Sequence, residues 1–268
     1  MGISVEFQAY HDPWMDNGLE LFYTLVKEIE RQFPEVVKAY LDPDRLVLQI
    51  QDRERFLSIL ESLLEKHIQQ HLYYHSERSG EKRSRIKPFV GFNQQPPKQW
   101  PPLYQFGKIG EFLREVFSPS SRKHGEGISC SLCGTVIQGT VKELTLSVYP
   151  FVTKTRALSG IRTVWSEGGL RGITDYSLVC PRCYFIGSLA WADSALLYRC
   201  DIGESKNKKA IICLPFLPTL NLISLYHQKE EYRSFLVTGR KDSNVRIPIK
   251  NREEAPPGQH TLLLAFLE

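Results

Sequence analysis

Cys130-Ser-Leu-Cys133-Gly134 and Cys180-Pro-Arg-Cys183 are the two stretches whose reading decides the fold. A CxxC turn brings two thiolates to one side of a knuckle, where backbone N–H groups can hydrogen-bond the sulfurs. Two knuckles complete the tetrahedral sulfur set that zinc prefers. Gly134 directly after the first pair permits a left-handed turn. Such a closed site has no open position for water, so the expected Zn²⁺ is structural. The 46 residues between Cys133 and Cys180 exceed a finger spacer. They predict a ribbon carrying a β-containing insertion rather than a compact finger. Redox CxxC motifs or buried thiols are the alternative reading. Cys200 and Cys213 have no CxxC partner. Cys213, inside Ala-Ile-Ile-Cys-Leu-Pro-Phe-Leu, reads as a small core residue.

Upstream of the cysteines the patterning is mixed. Ile3, Val5, Phe7 and Ala9 alternate with polar residues, the period of a half-buried strand. Pro13 breaks that pattern, and Asp16 is placed to cap the helix that follows. Leu19, Phe22, Tyr23, Val26, Ile29 and Phe33 give this helix an apolar stripe that ends at Pro34. Leu46, Leu48 and Ile50 predict a second strand. Asp52 then caps a longer helix with Phe56, Ile59, Leu60, Leu63, Leu64, Ile68 and Leu72 as its buried face. His67, His71 and His75 fall at i, i+4 and i+8 on this helix. No carboxylate or cysteine completes a ligand set there, so they read as packed or solvated histidines.

Between Ser76 and Pro102 the composition predicts a polar, basic loop and then a proline-rich segment that excludes regular helix. A short helical pattern covers Ile109 to Phe117. Beyond it the chain reads as β-rich, from alternation at Leu144, Leu146 and Val148 and at Val245, Ile247 and Ile249, and from the apolar run Thr261 to Leu267. The fold class expected is α+β, a mixed helix and strand domain with an inserted four-cysteine zinc ribbon. Its divisions are an N-terminal α/β part with a basic loop (1–125), the zinc-ribbon region (126–190), and a β-rich part packing on the first (191–268).

Composition narrows the function classes. The 268 residues are 42% hydrophobic and 24% charged, values of an ordinary folded chain with a sizeable core. No stretch approaches a membrane span, and no signal peptide is legible, so a cytoplasmic location is expected, which disfavours disulfides. The net charge of +4 hides an asymmetry. Residues 1–70 hold 7 Lys and Arg against 13 Asp and Glu, while 71–268 hold 27 against 17. A basic remainder suits an anionic partner, although a solvated basic surface has the same composition.

Arg78, Lys82, Arg83, Arg85 and Lys87 form the densest basic cluster, opposed internally by Glu81. Such a segment can follow a phosphate backbone, giving affinity without sequence information. Lys206, Lys208 and Lys209, and Arg240, Lys241 and Arg246, form smaller clusters. Asn93, Gln94 and Gln95 precede two prolines. Their amides can read a base edge from a stiffened loop, and an ordinary turn is the competing reading. Gly-rich phosphate loops and Ser/His/Asp or Cys/His nucleophile sets are absent from the sequence. The expectation is no catalytic activity.

His11-Asp-Pro-Trp-Met-Asp-Asn-Gly-Leu-Glu20 resembles the N-terminal signature of the CXXC–CXXC branch of CRISPR-associated large subunits, found in type I-B-like Cascade complexes. That signature is a short strand followed by a proline, an aromatic, an aspartate and a glycine, here Pro13, Trp14, Asp16 and Gly18. The pairs Cys130/Cys133 and Cys180/Cys183 match the cysteines that name the family, and Leu-Val-Cys-Pro-Arg-Cys is in its style. The resemblance covers roughly residues 1–190. Large subunits of this branch are usually longer and carry a C-terminal helical bundle, for which no pattern is present before Glu268. The chain thus looks like the N-terminal part or a shortened form.

The resemblance implies an RNA-guided DNA-targeting subunit. It would bind near the 5′ handle of a guide RNA, contribute to PAM recognition on double-stranded DNA and help open the target. Its partners would be guide RNA, target DNA and other Cascade subunits, with a helicase-nuclease or transposition proteins downstream. A zinc-ribbon interaction or transcription-associated protein outside CRISPR is the alternative, and a zinc-dependent or redox enzyme a third class.

Overall fold

The computed structural model describes residues 2–78, 81–86, 96–118, 129–137, 140–145, 147–150, 178–193 and 221–235, with backbone alone for 74–78, 81–86 and 231–235. The fold is a mixed α+β arrangement of helices and small antiparallel sheets, as the sequence predicts.

Strand β1 (Ile3–Gln8) leads into helix α1 (Pro13–Gln32), followed by the hairpin β2 (Val37–Leu41) and β3 (Arg45–Ile50) and by helix α2 (Arg53–His71). The sheet order is β1-β3-β2, all antiparallel. This is the split β-α-β arrangement, with β3 between the two strands that α1 connects. Register places Val5 opposite Leu48, Phe7 opposite Leu46 and Val37 opposite Ile50. These residues are buried, while Ser4, Glu6, Gln8, Lys38, Tyr40, Arg45 and Gln49 on the other face are exposed. One face therefore packs and one meets water, the usual economy of an antiparallel sheet. Phe22 of α1 packs edge-on against Phe7, with ring centroids 5.3 Å apart. From α2, Phe56, Leu60, Leu64 and Ile68 join the same core.

One expectation about helix entry stands and one is revised. The strand pattern is over by Pro13, which occupies the first turn of α1, where its missing N–H costs nothing. Asp12, not Asp16, is the cap: its Oδ1 accepts the N–H groups of Trp14 and Met15, both at 2.9 Å. Asp16 lies one turn inside and accepts from the Tyr10 and Asp12 N–H groups, at 2.7 and 3.1 Å. Its carboxylate fastens a turn in which His11 has φ +53°. The Asp52 cap stands, with its side chain accepting from the Arg55 N–H.

The basic loop expected after Ser76 is a hairpin instead: β4 (Tyr73–Arg78) pairs antiparallel with β5 (Glu81–Ile86). Arg78 opposes Glu81 at the end of the pairing, a spacing that favours hairpins. His75 consequently lies on β4 and not on α2. In the described part of the proline-rich segment, from residue 96, lie the 3₁₀ turns Pro97–Gln99 and Pro102–Tyr104. Helix α3 (Ile109–Val116) follows, and Glu61 of α2 accepts its Gly110 N–H at 3.0 Å.

Of the strand expected at Leu144–Val148, Leu146 lies outside the described residues and the others are not strand; the Val148 N–H donates to the Thr145 carbonyl at 2.9 Å. Leu144 and Val148 are buried without sheet pairing. The strand pair here is short, β6 (Lys142–Glu143) with β7 (Leu178–Val179). Helix α4 (Pro181–Leu189) starts within the second cysteine knuckle. The described part of the stretch read as β-rich after residue 190 also departs from expectation. It contains the 3₁₀ turn Ala190–Ala192 and helix α5 (Leu222–Phe235). The alternations at 245–249 and 261–267 lie outside the described residues, as do Cys200 and Cys213.

Candidate metal centre and basic ribbon

The first knuckle is closed by its backbone. The Cys130 N–H donates to the Thr135 carbonyl at 2.8 Å, and the Gly134 N–H donates to the Cys130 carbonyl at 2.9 Å. Gly134 has φ +71°, a left-handed turn that a glycine adopts without strain. The second knuckle is a helix start: Cys180 caps α4 and Pro181 fills its first turn. The hydroxyl and N–H of Ser131 both bond the Leu178 carbonyl, at 3.0 and 2.9 Å, which locks one knuckle beside the other.

This arrangement brings Cys130, Cys133, Cys180 and Cys183 together, with their four sulfurs all within 4.8 Å of one another. Cys133 and Cys180 Sγ are 3.9 Å apart. Sulfurs bound to zinc at about 2.3 Å in a tetrahedron stand about 3.8 Å apart, so the set fits one ion of that size. It is too open for a disulfide, whose sulfurs are about 2.05 Å apart. Backbone donors reach the sulfurs as expected: the Cys180 N–H to Cys130 Sγ at 3.3 Å and the Cys183 N–H to Cys180 Sγ at 3.4 Å. Cys133 Sγ faces Thr135 Oγ1 at 2.8 Å. The Cys183 thiol donates to the Tyr10 hydroxyl at 3.4 Å.

Four thiolates this close repel one another. Hydrogen bonds from Cys133, Cys180 and Cys183 hold Cys130 far below the ordinary thiol range, and contact with Cys130 and Cys133 pushes Cys183 far above it. A divalent cation is what allows all four to ionise together. Among the described residues, this is the cluster that can hold a metal ion.

The centre does not stand apart from the rest of the fold. Trp14 Nε1 donates to the Val148 carbonyl at 2.8 Å and to the Gly187 carbonyl at 2.9 Å. Its ring meets Trp191 edge-on at 4.7 Å. The Tyr149 hydroxyl donates to Asp12 Oδ2 at 2.6 Å. Arg182, between the two cysteines of its pair, donates to the Val116 carbonyl at 3.3 Å and lies over the Phe7 ring. The stretch from Tyr10 to Gly18 is thus the seam on which the cysteine region docks. Sequence reasoning did not find Tyr10, Asp12 or Arg182 as parts of that seam, because nothing in their spacing signals contacts across more than 60 residues.

The basic residues divide. Lys87, Asn93, Gln94, Gln95, Lys208, Lys209, Arg240 and Lys241 lie outside the described residues. Arg78, Lys82, Arg83 and Arg85 fall on the β4–β5 ribbon. Opposed residues of an antiparallel pair share a face, and successive pairs alternate. Register therefore places Tyr74, Ser76, Arg78, Glu81, Arg83 and Arg85 on one face. Tyr73, His75, Glu77, Lys82, Ser84 and Ile86 occupy the other. Tyr73 is seated on the body of the fold, its hydroxyl donating to the Tyr104 carbonyl at 3.1 Å and its ring beside Trp100 and Phe106. The three arginines thus share the face opposite the one that carries Tyr73, and Lys82 is separated from them. His67 is accounted for by packing: its Nε2 is 3.1 Å from the Ala192 carbonyl and its ring lies against His71.

No protein-family model, curated protein or solved structure matches the chain. None of the described helices is long and apolar enough to cross a membrane.

Proposed function

We propose that this chain is a zinc-structured, nucleic-acid-binding large subunit of a type I CRISPR Cascade complex. It works near the 5′ handle of the guide RNA and contributes to PAM recognition and target opening. The observation that carries the reading is the ribbon register, which gathers Arg78, Arg83 and Arg85 on the face away from Tyr73. Three arginine positions against the single acidic position Glu81 on one face of a two-stranded ribbon suit a run of phosphates, and a two-stranded ribbon has the width of a major groove. The signature-like stretch from His11 to Glu20 and the two CxxC pairs support the assignment to this class.

The metal in this reading is zinc, because four thiolates in a closed set favour it over harder ions. Its role is structural: it holds two knuckles together and so positions α4 against α1. No catalytic step is assigned. Base pairing with the guide reads the target sequence, while the protein holds backbone and inspects the PAM. Asn93, Gln94 and Gln95 are kept as PAM-reading candidates by their amide chemistry alone. Guide RNA, target double-stranded DNA and the other Cascade subunits are the partners, in a cytoplasmic setting. A helicase-nuclease or transposition machinery would act on the opened target.

The test is affinity capture of the tagged full chain from its own cells, followed by sequencing of the bound RNA. Recovery of repeat-derived guide RNA with a set of backbone subunits supports the reading. Recovery of a transcription complex, or of no RNA, overturns it in favour of an interaction protein.

A further inference from the structure

We propose that the Tyr10 hydroxyl is the outer hydrogen-bond donor of the metal centre, holding the Cys183 sulfur in its ligating state and damping its reactivity. This rests on the metal-binding reading of the four cysteines. Three of the four sulfurs have a polar neighbour from within the knuckles: the Cys180 N–H at Cys130, Thr135 Oγ1 at Cys133 and the Cys183 N–H at Cys180. The group at Cys183 Sγ comes instead from Tyr10, 173 residues away in sequence.

The direction of that bond depends on charge. A thiol has a proton and donates it to the hydroxyl. A metal-bound thiolate has none, so the only proton available on the same line is that of the phenol. Metal loading therefore reverses the bond and makes it charge-assisted, hence stronger. A donor to a ligating sulfur withdraws electron density from it, which fixes its orientation and lowers its nucleophilicity.

The hydroxyl is well placed for this. Tyr10 lies two residues beyond the end of β1, and its N–H is held by Asp16 Oδ1 at 2.7 Å. Asp16 also accepts the Asp12 N–H, and Asp12 in turn accepts the Tyr149 hydroxyl at 2.6 Å. The phenol is thus positioned by the same seam that docks the cysteine region. Metal affinity and the docking of that region on α1 are coupled through one side chain.

The test compares the full chain with Tyr10→Phe, which keeps the ring and removes only the hydroxyl. Both are loaded with Co(II), whose sulfur-to-metal absorption reports electron density on the ligands. Zn(II) affinity is read by chelator competition. The expected result is a shift of the charge-transfer band to lower energy and a loss of Zn(II) affinity of about 10–100-fold. A merely structural loss would lower the melting temperature and leave the band in place. If Tyr10→Phe does not fold, 3-fluorotyrosine at position 10 alone decides. Its more acidic hydroxyl donates more strongly, so the band should move to higher energy. A normal tetrathiolate spectrum in the wild type with an unmoved band in the variant that folds overturns the proposal. A wild type that takes up no Co(II) overturns the metal reading first, and the proposal with it.

Discussion

Gly18 and Ile186 meet backbone to backbone: a Cβ on residue 18 would lie 2.3 Å from the Ile186 carbonyl oxygen. Helices α1 and α4 approach this closely because the crossing residue has no side chain. Gly187, one residue further, is equally confined, with a Cβ there 2.6 Å from the Val148 carbonyl. The seam between the N-terminal sheet-and-helix unit and the cysteine region is therefore sealed by backbone contact as well as by Trp14.

Gly18→Ala should force this crossing apart. Overpacking of this kind costs about 1–3 kcal/mol. Urea denaturation of the metal-loaded protein should show the loss as a lower midpoint with an unchanged slope. A midpoint equal to wild type would mean that the helices can separate freely.

Cys180→Ser takes one sulfur from the four-cysteine set while leaving a residue that still caps α4, since a serine hydroxyl can accept the Cys183 N–H. Amide exchange should speed up across 129–137 and 178–193, and then at the start of α1, because Trp14 bonds both Val148 and Gly187. Chelation of the wild type should reproduce the pattern. The metal-linked part of stability should grow by about 1.4 kcal/mol for each tenfold rise in free metal above Kd. Exchange confined to the knuckles would contradict the coupling.

Lys229 of α5 is fully buried, with its Nζ 2.5 Å from an Asp193 carboxylate oxygen, in contact with Glu20 and donating to the Asn17 carbonyl at 3.0 Å. Breaking a buried ion set by removing one partner costs about 3–5 kcal/mol, since the opposite charges stay buried. Lys229→Met should lose that much by chemical denaturation. The triple change Lys229→Met, Glu20→Gln, Asp193→Asn should recover part of it. If the single and triple changes cost the same, the loss is one of packing and not of charge.

Burial pushes the Asp16 carboxyl from 3.8 up to about 6, against the opposing pull of the Tyr10 and Asp12 N–H groups. The folded state therefore holds this proton more tightly than the unfolded chain. The Asp16 contribution is fully present below about pH 3.8 and is lost as pH rises through about 6. Other groups titrate in the same window, so the useful quantity is the difference between wild type and Asp16→Asn. That difference should move against the wild type between pH 4 and 6, by up to about 3 kcal/mol. A flat difference would show that Asp16 titrates normally.

Much of this was legible from the residues. Strict alternation at Ile3–Phe7 and the 3.6-residue stripe after Gly18 gave β1 and α1, and the CxxC spacing gave the sulfur cluster. Strand β2 was not legible, because Lys38 and Ala39 are weak strand formers and its partner β3 supplies the pairing. The β4–β5 hairpin read as a loop because charge masks its alternation. Helix α4 was hidden by Cys180-Pro181, which looks like a turn and is in fact a cap followed by a first-turn proline. The docking seam follows from tertiary contacts alone, so no local pattern announces it.

The measurement that tests the central claim most directly is the salt dependence of duplex DNA binding by the full chain, its Arg83→Ala/Arg85→Ala variant and a Lys82→Ala control. Register puts the two arginines on one face of the ribbon and Lys82 on the other. The arginine variant should bind all duplexes more weakly to a similar degree. Its plot of log affinity against log salt should be shallower by up to about 0.9 for each lost phosphate contact, while Lys82→Ala keeps the wild-type slope. An arginine variant with unchanged affinity and slope would show that this face does not meet nucleic acid, and would contradict the account.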